Sequence, residues 1–167
     1  PDAKLFINDY GVETVNPKST GLYELVKKLL AKGVPVQGFG MQAHMTEEGT
    51  PDFASVAANI KRFTDLGLEV HITELDVRMR GAGDQVQLKH QAEIYRGFIK
   101  TALANPRVTC VTTWGISDAD SWIPGVFPGY DLPLLFDRQY RPKPAFFAVA
   151  EALSAKPAPK APVKKGK

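Results

Sequence analysis

An α/β fold on a parallel sheet is expected from three features of this 167-residue chain. Apolar, strand-like runs begin near residues 4, 36, 69 and 108, about 32 to 40 residues apart. Each is followed by a loop and a stretch of helical periodicity. Glycines close the first two helical stretches, Gly33 and Gly67. Strand–helix alternation at this spacing gives parallel strands joined by right-handed crossovers. Four such units fit either a small doubly wound sheet or half of a (β/α)8 barrel. A complete barrel takes about 250 residues, which this chain does not reach.

The elements follow in order. Lys4–Asp9 reads as the first strand. A helix near Thr20–Ala31 is expected next, capped by Ser19 or Thr20 and stopped by Gly33. Val36–Gln42 is the second strand. A loop rich in Gly, Thr and Glu leads to a helix near Phe53–Leu66, stopped by Gly67. Glu69–Leu75 is the third strand. After Gly81 and Gly83 a longer helix spans roughly Gln85–Ala104. Val108–Trp114 is the fourth strand. A long aromatic, Pro- and Gly-rich loop covers Ser117–Arg141, and a last helix runs near Lys143–Leu153. Residues 154–167 alternate Pro, Ala and Lys. They cannot bury enough apolar surface to order themselves and read as a disordered tail, leaving 1–153 as the folded unit.

Composition is that of an ordinary globular protein, 44% hydrophobic and 23% charged. The net charge of +3 is misleading, because the tail holds five lysines and no acid. The body keeps 16 basic against 18 acidic residues, so no basic footprint for nucleic acid exists there. No apolar run is long enough to span a membrane, and the N-terminus is not a signal peptide. The lone cysteine, Cys110, lies in the apolar run Val108–Thr113 and reads as a core residue. No metal-ligand spacing is present, and no cofactor is implied. In particular, no Gly-rich phosphate loop follows the first strand.

The chemistry concentrates where strands end. The third strand runs apolar into Glu74-Leu75-Asp76, whose two carboxylates share a side of a pleated strand. A carboxylate ending an apolar strand costs desolvation energy unless something uses it. The first strand ends at Asn8-Asp9-Tyr10, the second at Gln42-Ala43-His44 and the fourth at Trp114, with Asp118, Asp120 and Trp122 beyond. Parallel strands deliver these groups to one rim. Such a rim suits a sugar: indole faces stack on pyranose rings, amides and imidazole bond hydroxyls, and a carboxylate attacks or stabilises an oxocarbenium-like centre. His44 between Glu74 and Asp76 would keep Glu74 ionised as a nucleophile requires. His71 has the opposite strand parity to Glu74 and is expected to face the helices in a structural role.

Together these motifs resemble the C-terminal half of family-10 glycoside hydrolases, the retaining endo-1,4-β-xylanases. The resemblance runs from about Leu5 to Leu153. It rests on Leu5–Tyr10, Val36–His44, His71–Asp76, Thr113–Asp118, Ser121–Pro124, Leu134–Asp137 and Arg141–Ala145. It implies that the four strands are the last four of a (β/α)8 barrel. It implies Glu74 as catalytic nucleophile with His44 and Asp76 as its orienting partners. Asn8, Gln42, Trp114 and Trp122 would then bind the sugar at the cleaved bond, the last three on its glycone side, and Tyr10 would line the aglycone side. Family members more often carry Asn where this chain has Gly11.

One part of the pattern is absent. The family's general acid/base is a glutamate following an asparagine at the end of the fourth barrel strand, and no Asn-Glu pair occurs here. None of Glu13, Glu47, Glu48, Asp118 or Asp120 matches it, Asp118 being nearest by rim position. The resemblance therefore implies an extracellular xylan-degrading hydrolase, present as a fragment with the nucleophile and without the acid/base. Half a barrel leaves two open sheet edges. Such a chain is expected to need an N-terminal half-barrel or self-association, with xylan or xylo-oligosaccharides as substrate and neither nucleic acid nor membrane as partner. The competing expectation is a non-catalytic carbohydrate-binding fragment that uses Trp114 and Trp122 as its platform.

Overall fold

A computed structural model describes residues 2–154. The expected tail at 155–167 lies outside the described residues. Ser154, assigned to that tail from sequence, instead closes the last helix. The elements run β1 (Phe6–Asp9), α1 (Pro17–Ala31), β2 (Gly38–Met41), β3 (His44–Thr46), α2 (Phe53–Asp65), β4 (Glu69–Arg80), α3 (Gln85–Leu103), β5 (Val108–Thr113), α4 (Ile123–Val126), β6 (Tyr130–Asp131) and α5 (Pro144–Ser154). A short 3₁₀ turn covers Asp118–Asp120.

The main sheet is parallel in the order β1-β2-β4-β5. Short β3 continues the line of β2 along β4, and β6 pairs antiparallel with the far end of β4. Among the described residues β1 and β5 each pair on one side only, so the sheet is an unclosed half-barrel. Helices cover one face. There Phe39, Met41, Val70, Ile72, Leu75 and Val77 of the strands meet Val56, Ile60 and Phe63 of α2 and Ile94, Tyr95 and Phe98 of α3 in one core. The Phe39 and Phe63 rings stack with centroids 3.8 Å apart. No helix among the described residues is long and apolar enough to cross a membrane.

Three local expectations are corrected. The cap of α1 is Asn16, not Ser19 or Thr20. Asn16 accepts from the Ser19 amide while the Ser19 hydroxyl accepts from the Asn16 amide, and Pro17 starts the helix a turn earlier than expected. His71 does not face the helices. It lies on the bare face, stacked on Phe6 at 4.0 Å and bonded to Thr109 Oγ1 at 3.0 Å. The cause is a register shift in β4 between Ile72 and Leu75. Opposite β2 and β3, three residues of β4 (Thr73, Glu74, Leu75) face two (Gln42, Ala43). Such a bulge resets the alternation of side chains, so His71, Thr73, Glu74 and Asp76 all leave the helix side. Cys110, expected in the core, is exposed. It pairs with His71 across β4 and β5, so its side chain shares the bare face that no helix covers.

Candidate active site

Glu74 lies at the end of the bare face, held from two sides. Asn8 Nδ2 donates to its Oε1 at 3.1 Å, and His44 Nε2 lies 3.2 Å from its Oε2. The Asn8 amide is itself oriented by Thr73, whose hydroxyl donates to Asn8 Oδ1 at 2.9 Å. This reach across the sheet requires Gly40 beneath it. A Cβ at Gly40 would stand 2.6 Å from Asn8 Oδ1.

His44 is bracketed by two carboxylates. Its Nδ1 lies 3.0 Å from Asp76 Oδ2, close enough for an ion pair, although the oxygen is off the N–H direction of a well-formed hydrogen bond. Asp76 is fully buried, while Glu74 keeps 15% of its side chain open to solvent. Trp122 Nε1 donates to Asp76 Oδ2 at 2.9 Å, and its ring sits 4.8 Å from the imidazole. Burial pulls the His44 pKa down, but Asp76 and Glu74 together outweigh it and hold the pKa above 6.5. The ring therefore takes up a proton more readily than a free imidazole, with one ring nitrogen beside each acid. The chemistry available is that of an accessible carboxylate fixed in one orientation.

The remaining expected residues surround this cluster. Gln42 binds through its backbone, its amide donating to the Asp9 carbonyl and its carbonyl accepting from the Glu74 amide, each at 3.0 Å. Its side chain is half-buried. Trp114 is 47% exposed, and its amide is tied to the Leu75 carbonyl. Tyr10 is well exposed, with Lys18 Nζ 3.4 Å over its ring centroid. Gly11, at φ +64°, occupies a backbone region that Gly and Asn share. Asp118 does not reach the rim as an acid. It is 1% exposed, accepts from the Leu134 amide and pairs with buried Lys143 at 2.9 Å. Burial raises its pKa against the opposing pull of Lys143. Asp118 is thus a structural clamp on the loop before α5.

Residues 1–152 match the profile of glycosyl hydrolase family 10. The chain belongs to that family. It is 43% identical over 157 residues to endo-1,4-β-xylanase B of Thermotoga neapolitana, covering 93% of this chain and 45% of that protein. Xylanase 10B from Thermotoga petrophila RKU-1, solved in complex with xylobiose, superposes with a TM-score of 0.89 at 44% identity, covering 92% of this chain and 47% of the other. The Penicillium canescens endo-1,4-β-xylanase XylE gives 0.89 at 37% identity, with 93% and 48% covered. The chain spans about half the length of the relatives it matches, and the shared architecture is that of half a family-10 (β/α)8 barrel.

Two residues that support this cluster are not evident from the sequence. The Arg78 guanidinium lies 4.4 Å from the Phe127 ring centroid, and Phe127 meets Trp122 edge-on at 5.6 Å. That packing backs the indole whose N–H bonds Asp76. Arg78 lies two residues beyond Asp76 on the same strand, a spacing that was readable. The return of the 123–131 loop to cover it was not.

Proposed function

We propose that this chain is the nucleophile-bearing half of a retaining endo-1,4-β-xylanase. Glu74 attacks the anomeric carbon of a xylose unit and forms a covalent glycosyl-enzyme as the glycosidic C–O bond breaks. A carboxylic acid from the complementary half protonates the departing oxygen, then takes a proton from the water that releases the sugar with net retention. This chemistry places the two carboxyls about 5–5.5 Å apart. Asn8 and His44 orient Glu74, and Asp76 steadies the imidazole. Trp114, Trp122 and Gln42 receive the glycone sugar, and Tyr10 borders the aglycone side.

The observation that carries this reading is the bulge-driven grouping of Glu74, His44 and Asp76 at the rim, with Asn8 on the open oxygen of Glu74. A purely sugar-binding module draws on half-exposed Trp114 but gives the two contacts on Glu74 no task. We also infer that the bare face and the two open edges are closed by an N-terminal half-barrel or by a second copy of the chain.

Mixing the chain with the N-terminal half of a family-10 barrel and assaying xylan cleavage tests the reading. The expected result is activity that appears only on mixing and is lost in Glu74→Gln. Full activity of the chain alone, or of the Glu74→Gln mixture, overturns it. A binding module would instead keep xylo-oligosaccharide affinity in Glu74→Ala and never form a glycosyl-enzyme.

A further inference from the structure

The corner between β2 and β3 has an unusual backbone. Ala43, fully buried, sits at φ +64°, where residues with a Cβ are rarely found. In an extended strand successive carbonyls point to opposite sides. At this corner the carbonyls of Gln42 and Ala43 both turn to β4, accepting from the amides of Glu74 at 3.0 Å and Asp76 at 3.3 Å. The corner is thus the partner that the β4 bulge needs. The ladder to β1 ends one residue earlier, with Gln42 N to Asp9 O, and leaves the buried Ala43 amide without a strand partner. Glu13 takes its place, Oε1 accepting from Ala43 N at 2.9 Å.

Glu13 is fixed independently of the site. Fully buried Asn59 of α2 donates through Nδ2 to the carbonyls of Val12 at 2.6 Å and Glu13 at 3.4 Å. Arg62 Nε donates to Asn59 Oδ1 at 2.8 Å, and Arg62 also reaches the Ser19 hydroxyl. Helices α1 and α2 therefore anchor the loop that presents the carboxylate.

We propose that Glu13 is a positioning residue for the Glu74 site. Its carboxylate holds the Gln42–Ala43–His44 corner in the conformation that sets the His44 ring between Glu74 and Asp76. Only the catalytic consequence rests on the role proposed for Glu74; the positioning itself does not.

The test is an NMR titration of the His44 side chain in this chain and its variants. The charged groups against His44 are Glu74 and Asp76, both from β4. Glu13→Ala is expected to lower the His44 pKa by about one pH unit as the ring leaves the two carboxylates. Glu13→Gln, which keeps an accepting Oε1, is expected to leave it unchanged. Adding Ala43→Gly to Glu13→Ala removes the Cβ cost of positive φ and is expected to restore most of the loss. Glu13→Asp, one methylene short, serves as the milder variant if Glu13→Ala does not fold, and a smaller fall is expected. An unchanged His44 pKa in every variant that folds, with only the melting temperature lowered, overturns the proposal. No readout here involves substrate, so failure leaves the nucleophile assignment standing, and failure of that assignment leaves this one intact.

Discussion

The two faces of β4 differ more than their neighbouring residues would lead one to expect. Toward the helices, Val70, Ile72, Leu75 and Val77 are fully buried against α2 and α3. On the other face Glu69 pairs with Lys4 near the start of the strand, His71 lies on Phe6, and only the far end builds a tight cluster, around Glu74 and Asp76. One face therefore holds the apolar core of the half-barrel and the other the polar cluster at its rim. The bulge at Thr73–Glu74 is the device that moves both carboxylates, Glu74 and Asp76, from the first face to the second.

Substitutions that separate the two faces break or sharpen this contrast. On the covered face, Phe63→Ala removes a fully buried ring stacked on Phe39. A loss of about 3–5 kcal/mol is expected, read from urea unfolding. Lys143→Met leaves Asp118 buried without its partner, and a comparable loss of about 3–5 kcal/mol is expected. A small change in Phe63→Ala would mean that the helix face does not dominate, and one in Lys143→Met that the Asp118 clamp is dispensable.

The site itself should show in the pH dependence of stability. The His44 pKa is raised in the folded chain. The stability contributed by its protonated ring is therefore complete below pH 6.5 and is lost as pH rises through the raised value. Urea midpoints of the wild type are expected to fall across that window relative to His44→Gln. Parallel curves would show that the two carboxylates do not hold the proton. On the bare face, Cys110→Ser is expected to change stability by no more than about 0.5 kcal/mol. A thiol reagent is expected to modify Cys110 in the folded chain, and burial by a complementary half-barrel to slow that modification.

Much of this was readable from the residues. The four βα units follow from strand spacing, and Asn8, His44, Glu74, Asp76 and Trp122 meet at one rim because parallel strands end together. Two of the failures, His71 and Cys110, share a cause: each depended on pairing rather than composition. Alternation places His71 and Glu74 on opposite faces, and only the unequal count of residues between β2–β3 and β4 reveals the bulge. Cys110 looks like core in an apolar run, yet its pairing with His71 turns it to the bare face. The Asn16 cap had a visible signal, Asn-Pro with Ser three residues on. Glu13 had none, because its partner is a backbone amide thirty residues away in a conformation that sequence does not announce.

The decisive measurement for Glu74 is covalent trapping. The chain, completed by an N-terminal half-barrel, would be treated with a 2-fluoro-xylobioside bearing a good leaving group, digested, and its peptides sequenced by mass spectrometry. The sugar is expected on the Glu74 carboxylate and nowhere else. Its attachment to any other side chain would mean that the carboxylate held by Asn8 and His44 is not the nucleophile.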